Sequence, residues 1–164
     1  DLLQSFKEVI NCVGGNTVEV GHGKDINELV KEYFTLTPEF QICTNVNDIT
    51  IANFDLAAIS DPHDLEKIDL AIIKGEFGVA ENGAVWIPSS SLAFRAIPFI
   101  TQYMIIVLDK KEMVWNMHQA FERLNIGNAG GYGCFISGPS KTADIEQSLV
   151  VGAHGAKSLH VFLV

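Results

Sequence analysis

Residues 137–146, Ser-Gly-Pro-Ser-Lys-Thr-Ala-Asp-Ile-Glu, crowd hydroxyls, a cation and two carboxylates into one short run. An apolar stretch, Tyr132 to Ile136, precedes it, and an apolar, helix-like stretch follows. The pattern predicts a buried strand ending near Ser137, a turn set by Gly138 and Pro139, and a helix capped by Ser140 or Thr142. The first N–H groups of a helix lack internal partners and carry a partial positive charge. Lys141 adds a full charge. Ser137, Gly138, Ser140, Lys141 and Thr142 therefore describe a pocket for phosphate or carboxylate. In open α/β sheets such turns sit at the carboxyl ends of strands, where ligands bind. The plainer alternative is that Ser and Thr only cap the helix while Asp144 complements its dipole. A cap needs one polar residue, whereas several converge here, so the run, Asp144 included, is read as a candidate site.

Other residues could join it. Glu81 precedes Asn82-Gly83, a strong hairpin-turn signal, where its carboxylate could hold backbone amides at the hairpin or line a ligand pocket. Gly83 belongs to the same turn. Arg95 stands alone in Leu92-Ala-Phe-Arg-Ala-Ile97, where it could pair with a buried carboxylate or recognise an anion. Glu81 and Arg95 flank one connection and are expected to share a pocket. His154, between Gly152 and Gly155, is either a ligand-facing or a structural histidine. His160 alternates into the last strand and reads as structural. No histidine pair has metal-ligand spacing with a third ligand near, so no metal is expected. Gly130-Gly131-x-Gly133 precedes a strand instead of following one, which excludes the dinucleotide fingerprint. The glycines of residues 125–133 are expected to form a mobile loop edging the pocket. No cofactor motif is present.

Composition bounds the rest. A chain of 164 residues suits a single domain over 1–164. Its mean hydropathy of +0.22 comes from short apolar runs, the signature of strands buried on both faces. None approaches the ~20 residues of a membrane span, and the first residues do not read as a signal peptide. A net charge of −9 opposes nonspecific binding to nucleic acid. Cys12, Cys43 and Cys134 are far apart and form no C-x-x-C, so iron–sulfur and structural zinc sites are not expected in this chain. A reducing, cytoplasmic setting follows.

Helices are predicted at Leu2–Val13, Asp25–Phe34, Met117–Leu124 and Thr142–Val151. Strands are predicted at Thr17–Val20, Phe40–Cys43, Asp69–Ile73, Met104–Leu108, Cys134–Ser137 and Leu159–Val164, with a hairpin over Gly78–Ile87. This alternation predicts an α/β domain with a mixed, largely parallel sheet and flanking helices.

Residues 136–164 also resemble the end of the LUD domain, the family of lactate-utilisation protein C. The family's Ser-Gly-Pro-Ser-(Arg or Lys)-Thr-Ala-Asp-Ile-Glu run is matched at 137–146, its Gly-x-His-Gly by Gly152-Ala-His-Gly155, and its terminal Leu-His-Val by Leu159-His-Val161. Gly75 to Trp86 is similar to a segment where the family commonly has Ala-Glu-Thr-Gly-Thr. Glu81 and Gly83 match it, while Asn82 and Ala84 depart from it. The match is strongest over 68–164. The resemblance implies a fold similar to the sugar-phosphate isomerase and CoA-transferase superfamily. It also implies a part in oxidising L-lactate to pyruvate, within a three-protein system whose iron–sulfur chemistry lies in partner subunits. Ala-Glu-Asn-Gly further resembles the Ser-Glu-Asn-Gly element of CoA-transferase β subunits, whose glutamate attacks an acyl-CoA thioester. Three readings stand: a lactate-utilisation component binding a small anion or phosphorylated ligand, a CoA-transferase-like enzyme with Glu81 as nucleophile, and a non-catalytic assembly module.

Overall fold

Leu70, Ala71, Ile72 and Ile73 are all fully buried, so strand β3 (Leu70–Lys74) must have apolar neighbours on both faces. The computed structural model describes residues 1–127, 131–140 and 155–164. It places β3 in a five-stranded sheet with β1 (Asn16–Glu19), β2 (Ile42–Thr44), β6 (Tyr103–Leu108) and β9 (Ser158–Leu163). The order is β1-β9-β6-β3-β2 and every pairing is parallel.

Alternation along these strands divides the core. Leu70, Ile72, Ile105, Val107 and Phe162 face Leu29 and Val30 of helix α2 (Ile26–Tyr33). Ala71, Ile73, Ile106, Leu108, Val161 and Leu163 face Phe6 and Ile10 of helix α1 (Leu2–Cys12). Both helices start on an aspartate. The Asp1 carboxylate accepts from Leu3 N–H and that of Asp25 from Asn27 N–H, each satisfying a donor the helix leaves free.

The predicted hairpin forms, with β4 (Phe77–Val79) antiparallel to β5 (Ala84–Pro88). It does not join the parallel sheet. With β7 (Met113–Val114) and β8 (Gly133–Ile136) it makes a second sheet, ordered β7-β4-β5-β8. The reason is again two-sided burial. Val85 and Ile87 enter the core shared with α1, while Phe77, Val79, Ala84 and Trp86 pack with Ala120 of helix α4 (Met117–Gly127). With both faces apolar, the hairpin is covered by the core shared with α1 on one side and by α4 on the other. The turn also differs from the two-residue type that Asn-Gly favours. Only Gly83 has positive φ, +66°, and Gly83 N–H donates to Val79 C=O.

The Met117 and Leu159 elements match their sequence expectations. Pro62–Lys67 and Leu56–Ala58 form short 3₁₀ helices, and helix α3 (Ile97–Ile100) precedes β6. The helix expected at 142–151 lies outside the described residues. His160 sits on β9 in an aromatic cluster with Tyr33 and Phe34. Burial pushes its pKa below the ordinary value of 6.5. The folded state thus binds this proton less well than the unfolded chain. Its contribution is constant above pH 6.5 and is lost as pH falls through the lowered pKa. Urea midpoints at pH 7.5 and 5.5 should therefore differ less in His160→Gln than in the parent protein; an equal drop in both would remove His160 as the cause.

Candidate functional site

The last two turns of α1 form the floor on which two distant segments meet. Gly83 lies so close to α1 that a Cβ there would stand 3.1 Å from the Ile10 backbone nitrogen. Gly138 has φ +74°, and a Cβ there would stand 2.9 Å from the Val13 carbonyl oxygen. Glycine meets both needs at once, a left-handed backbone and a close approach. Between the two turns, Ser137 Oγ donates to the Asn82 carbonyl at 2.6 Å. The β5–β8 register sets this up, because Val85 pairs with Ile136 and the next residues are carried to the hairpin turn. Asn82 spends its own side chain on the turn, accepting from Ala84 N–H.

Beyond Ser137 opens a cavity of about 370 Å³, bounded by Pro98, Phe99, Ser137, Ser140, Gly155 and Leu159. Ser140 N–H donates to the Ala156 carbonyl at 2.9 Å. That bond brings the chain on either side of residues 141–154 to one point. Lys141, Thr142, Asp144 and His154 lie outside the described residues; Lys141 and His154 adjoin the cavity-lining Ser140 and Gly155 in sequence. Ser137 follows the carboxyl end of its own strand, β8, but that strand belongs to the second sheet. The cavity opens instead near the amino ends of β6 and β9, at Met104 and Leu159. The expected placement at the carboxyl ends of the parallel strands is thus corrected: the turn follows β8 of the hairpin sheet and opens beside the amino ends of β6 and β9.

Glu81 is exposed, and its Oε2 accepts from Met117 N–H at 3.0 Å. Its own N–H donates to the Trp115 carbonyl. The carboxylate therefore caps the free end of α4, assisted by Asn116, whose Oδ1 accepts from Gln119 N–H. Glu81→Ala should lower stability by about 1 kcal/mol in urea denaturation, and Glu81→Gln, which keeps an acceptor, by less. Equal midpoints for Glu81→Ala and the parent would remove the capping role.

Arg95 does not share Glu81's surroundings. It lies 5.0 Å over the Tyr132 ring, a cation–π contact beside the start of β8. Gly133 pairs with Pro88, whereas Glu81 precedes the other end of β5. Arg95 and Glu81 thus sit at opposite ends of the β5–β8 pair. Gly133 is a packing residue of β8 and not part of a loop edging the pocket: a Cβ there would collide with Trp86 at 2.4 Å.

Sequence reasoning missed a second cavity, at the carboxyl ends of β2 and β3. It measures about 320 Å³ and includes Asn45, Ile73 and Leu92 in its walls. The available signal was the polar residue following each apolar strand, Asn45 after β2 and Lys74 at the end of β3. Among the described residues no group of three His, Cys, Asp or Glu side chains converges as metal ligands would. No described helix is long and apolar enough to cross a membrane.

A three-layer α/β domain, with a separate hairpin sheet that carries a glycine-dependent polar turn, is the class the geometry defines. The chain belongs to the LUD domain family, whose model matches residues 15–164. It is 34% identical to lactate utilization protein C of Geobacillus sp. (strain WCH70), an alignment covering 94% of this chain and 65% of that protein. It is 37% identical to lactate utilization protein C of Halalkalibacterium halodurans, over 55% of this chain and 41% of that one. The chain thus spans less than two thirds of the length of these relatives. A crystal structure of a DUF162 family protein from Deinococcus radiodurans superposes with a TM-score of 0.72, covering 99% of this chain and 96% of that one at 14% identity. At that identity the likeness shows the fold.

Proposed function

We propose that this chain is a cytoplasmic component of a lactate-utilisation system, binding a small anion or phosphorylated ligand where the Ser137 turn meets the Glu81 turn. The system would oxidise L-lactate to pyruvate, with iron–sulfur chemistry supplied by partner subunits. The names of the relatives support the process. The observation that carries the site is the Ser137 Oγ–Asn82 carbonyl bond, because it ties the two family-like segments to one place.

Two of the three cysteines suit a redox centre outside this chain. Cys43 is buried and its thiol is pushed up to about 12, and burial also raises Cys134. A thiol held protonated is a poor metal ligand. A bound anion would draw on Lys141, which follows Ser140 in the sequence. The nearby Val13 carbonyl belongs to the negative end of α1, which opposes an anion, so a full cation is needed to reverse the local sign. The Glu81 hydrogen bond to α4 accounts for that carboxylate as a cap, which favours a binding role over an acyl-transfer one.

Calorimetric titration with L-lactate, pyruvate, phosphate and acyl-CoA, beside the double variant Ser140→Ala, Lys141→Ala, tests this reading. Binding of lactate, pyruvate or phosphate that disappears in the double variant is the expected result. Tight binding of acyl-CoA alone would favour the CoA-transferase-like alternative. Silence with every ligand would leave an assembly module.

A further inference from the structure

We infer that the cleft at the carboxyl ends of β2 and β3 is a second small-molecule site, built for a monocarboxylate with a short apolar body. This inference is independent of the Ser137 site and of the lactate reading.

The position is the one open parallel sheets use for ligands, outside the carboxyl ends of their strands. At about 320 Å³ the cleft falls in the lower part of the range of ligand pockets. Its frame is cross-linked in advance. Asn45 Nδ2 donates to the Ser91 carbonyl at 2.8 Å while its Oδ1 accepts from Lys74 N–H at 2.9 Å. One side chain therefore joins the end of β2, the end of β3 and the 3₁₀ turn Ser89–Ser91. Thr44 Oγ1 donates to the Ile72 carbonyl and accepts from Val46 N–H, and Ser91 Oγ donates to the Pro88 carbonyl. These polar side chains hold the walls in place, so ligand binding need not first order them.

The groups left for a ligand are of two kinds. Leu56, Ile73, Leu92 and Ile97 offer an apolar surface. Lys74 and Glu76 line an adjoining recess of about 210 Å³ that shares Ser91 with the cleft. Both are exposed, and among the described residues neither is in an ion pair. An apolar body with one anionic head fits this pairing: the chain lies along the aliphatic wall and the carboxylate meets the Lys74 ammonium. Glu76, one residue beyond Gly75, sets the charge limit. It repels a second negative charge, which disfavours dicarboxylates and phosphate dianions. Cys43, also in the wall, is kept as a neutral thiol by burial and acts as a small apolar surface.

Titration of the ¹⁵N-labelled protein with sodium hexanoate, followed by amide shifts, tests the assignment. Saturable shifts at Asn45, Ser91 and Ala93 are expected. Lys74→Met should weaken binding about ten-fold, and Ala93→Trp, placed at an exposed wall position, should abolish it. Urea midpoints equal to the parent's would show that both variants fold. Adipate and phosphate should each bind at least about ten-fold more weakly than hexanoate. Hexanoate shifts confined to Ser137–Ser140, no saturation at millimolar hexanoate, or an unchanged affinity in folded Lys74→Met would overturn the site. Adipate binding as tightly as hexanoate would overturn its selectivity for one charge.

Discussion

Gly138→Val should destabilise the domain by roughly 2–4 kcal/mol and abolish ligand binding at the Ser137 turn. Two costs combine. A β-branched residue at φ +74° is strained by about 1–2 kcal/mol, and the new Cβ meets the Val13 carbonyl oxygen at 2.9 Å and Val13 Cγ2 at 3.0 Å. Neither neighbour is the free end of a flexible chain, so the turn must move. Movement breaks the Ser137–Asn82 hydrogen bond and separates the two segments of the proposed site. Gly138→Ala carries less strain and should fall between. Urea denaturation and a binding titration on the same samples check this. A Gly138→Val protein with the parent's stability and affinity would show that the turn is not seated on α1.

Phe6→Ala should cost about 3–5 kcal/mol, the largest loss expected from a single side chain here. Phe6 is fully buried in the core common to the parallel sheet and the hairpin sheet. Its ring also lies close to Gly78 of β4, where a Cβ would come within 3.1 Å of Phe6 Cε2. The cavity left by Ala cannot close easily, since rigid strands border it on two sides. Because α1 also carries Ile10 and Val13, a loosened α1 should weaken binding at the turn as well. The denaturation midpoint and amide exchange of α1 measure the effect; a loss below about 1 kcal/mol would mean that α1 is not the wedge between the sheets.

The elements with strong periodicity were legible in the sequence. Leu70 to Ile73 read as a two-faced strand because burial on both sides requires an unbroken apolar run, and Leu159 to Leu163 did so with only His160 interrupting it. Asp25 marked its helix because the cap is a local interaction. The separation of the hairpin into its own sheet was not legible, since the unbroken apolar run of β5 tells that both faces are covered but not by what. Arg95 illustrates the same limit. Its sequence neighbourhood places it near Glu81, yet β5 lies between the two and carries them to opposite ends. Glu81 was read as a nucleophile or as a carboxylate serving the hairpin or a pocket, whereas the amide it accepts from is that of Met117, 36 residues away at the start of α4. The Ser137 turn stood out in the sequence because its polar residues exceed what a cap requires. The cleft beyond β2 and β3 was missed because Asn45 and Ser91 come together only through the fold.

In the proposed function the Ser137 turn and the Glu81 turn form one ligand site. Amide shifts of the ¹⁵N-labelled protein during separate titrations with L-lactate and phosphate test it most directly. At least one of the two should produce saturable shifts that cluster at Asn82, Gly83 and Ser137 to Ser140, and Lys141→Ala should remove them. Shifts at only one of the two turns, or at neither, would contradict the claim.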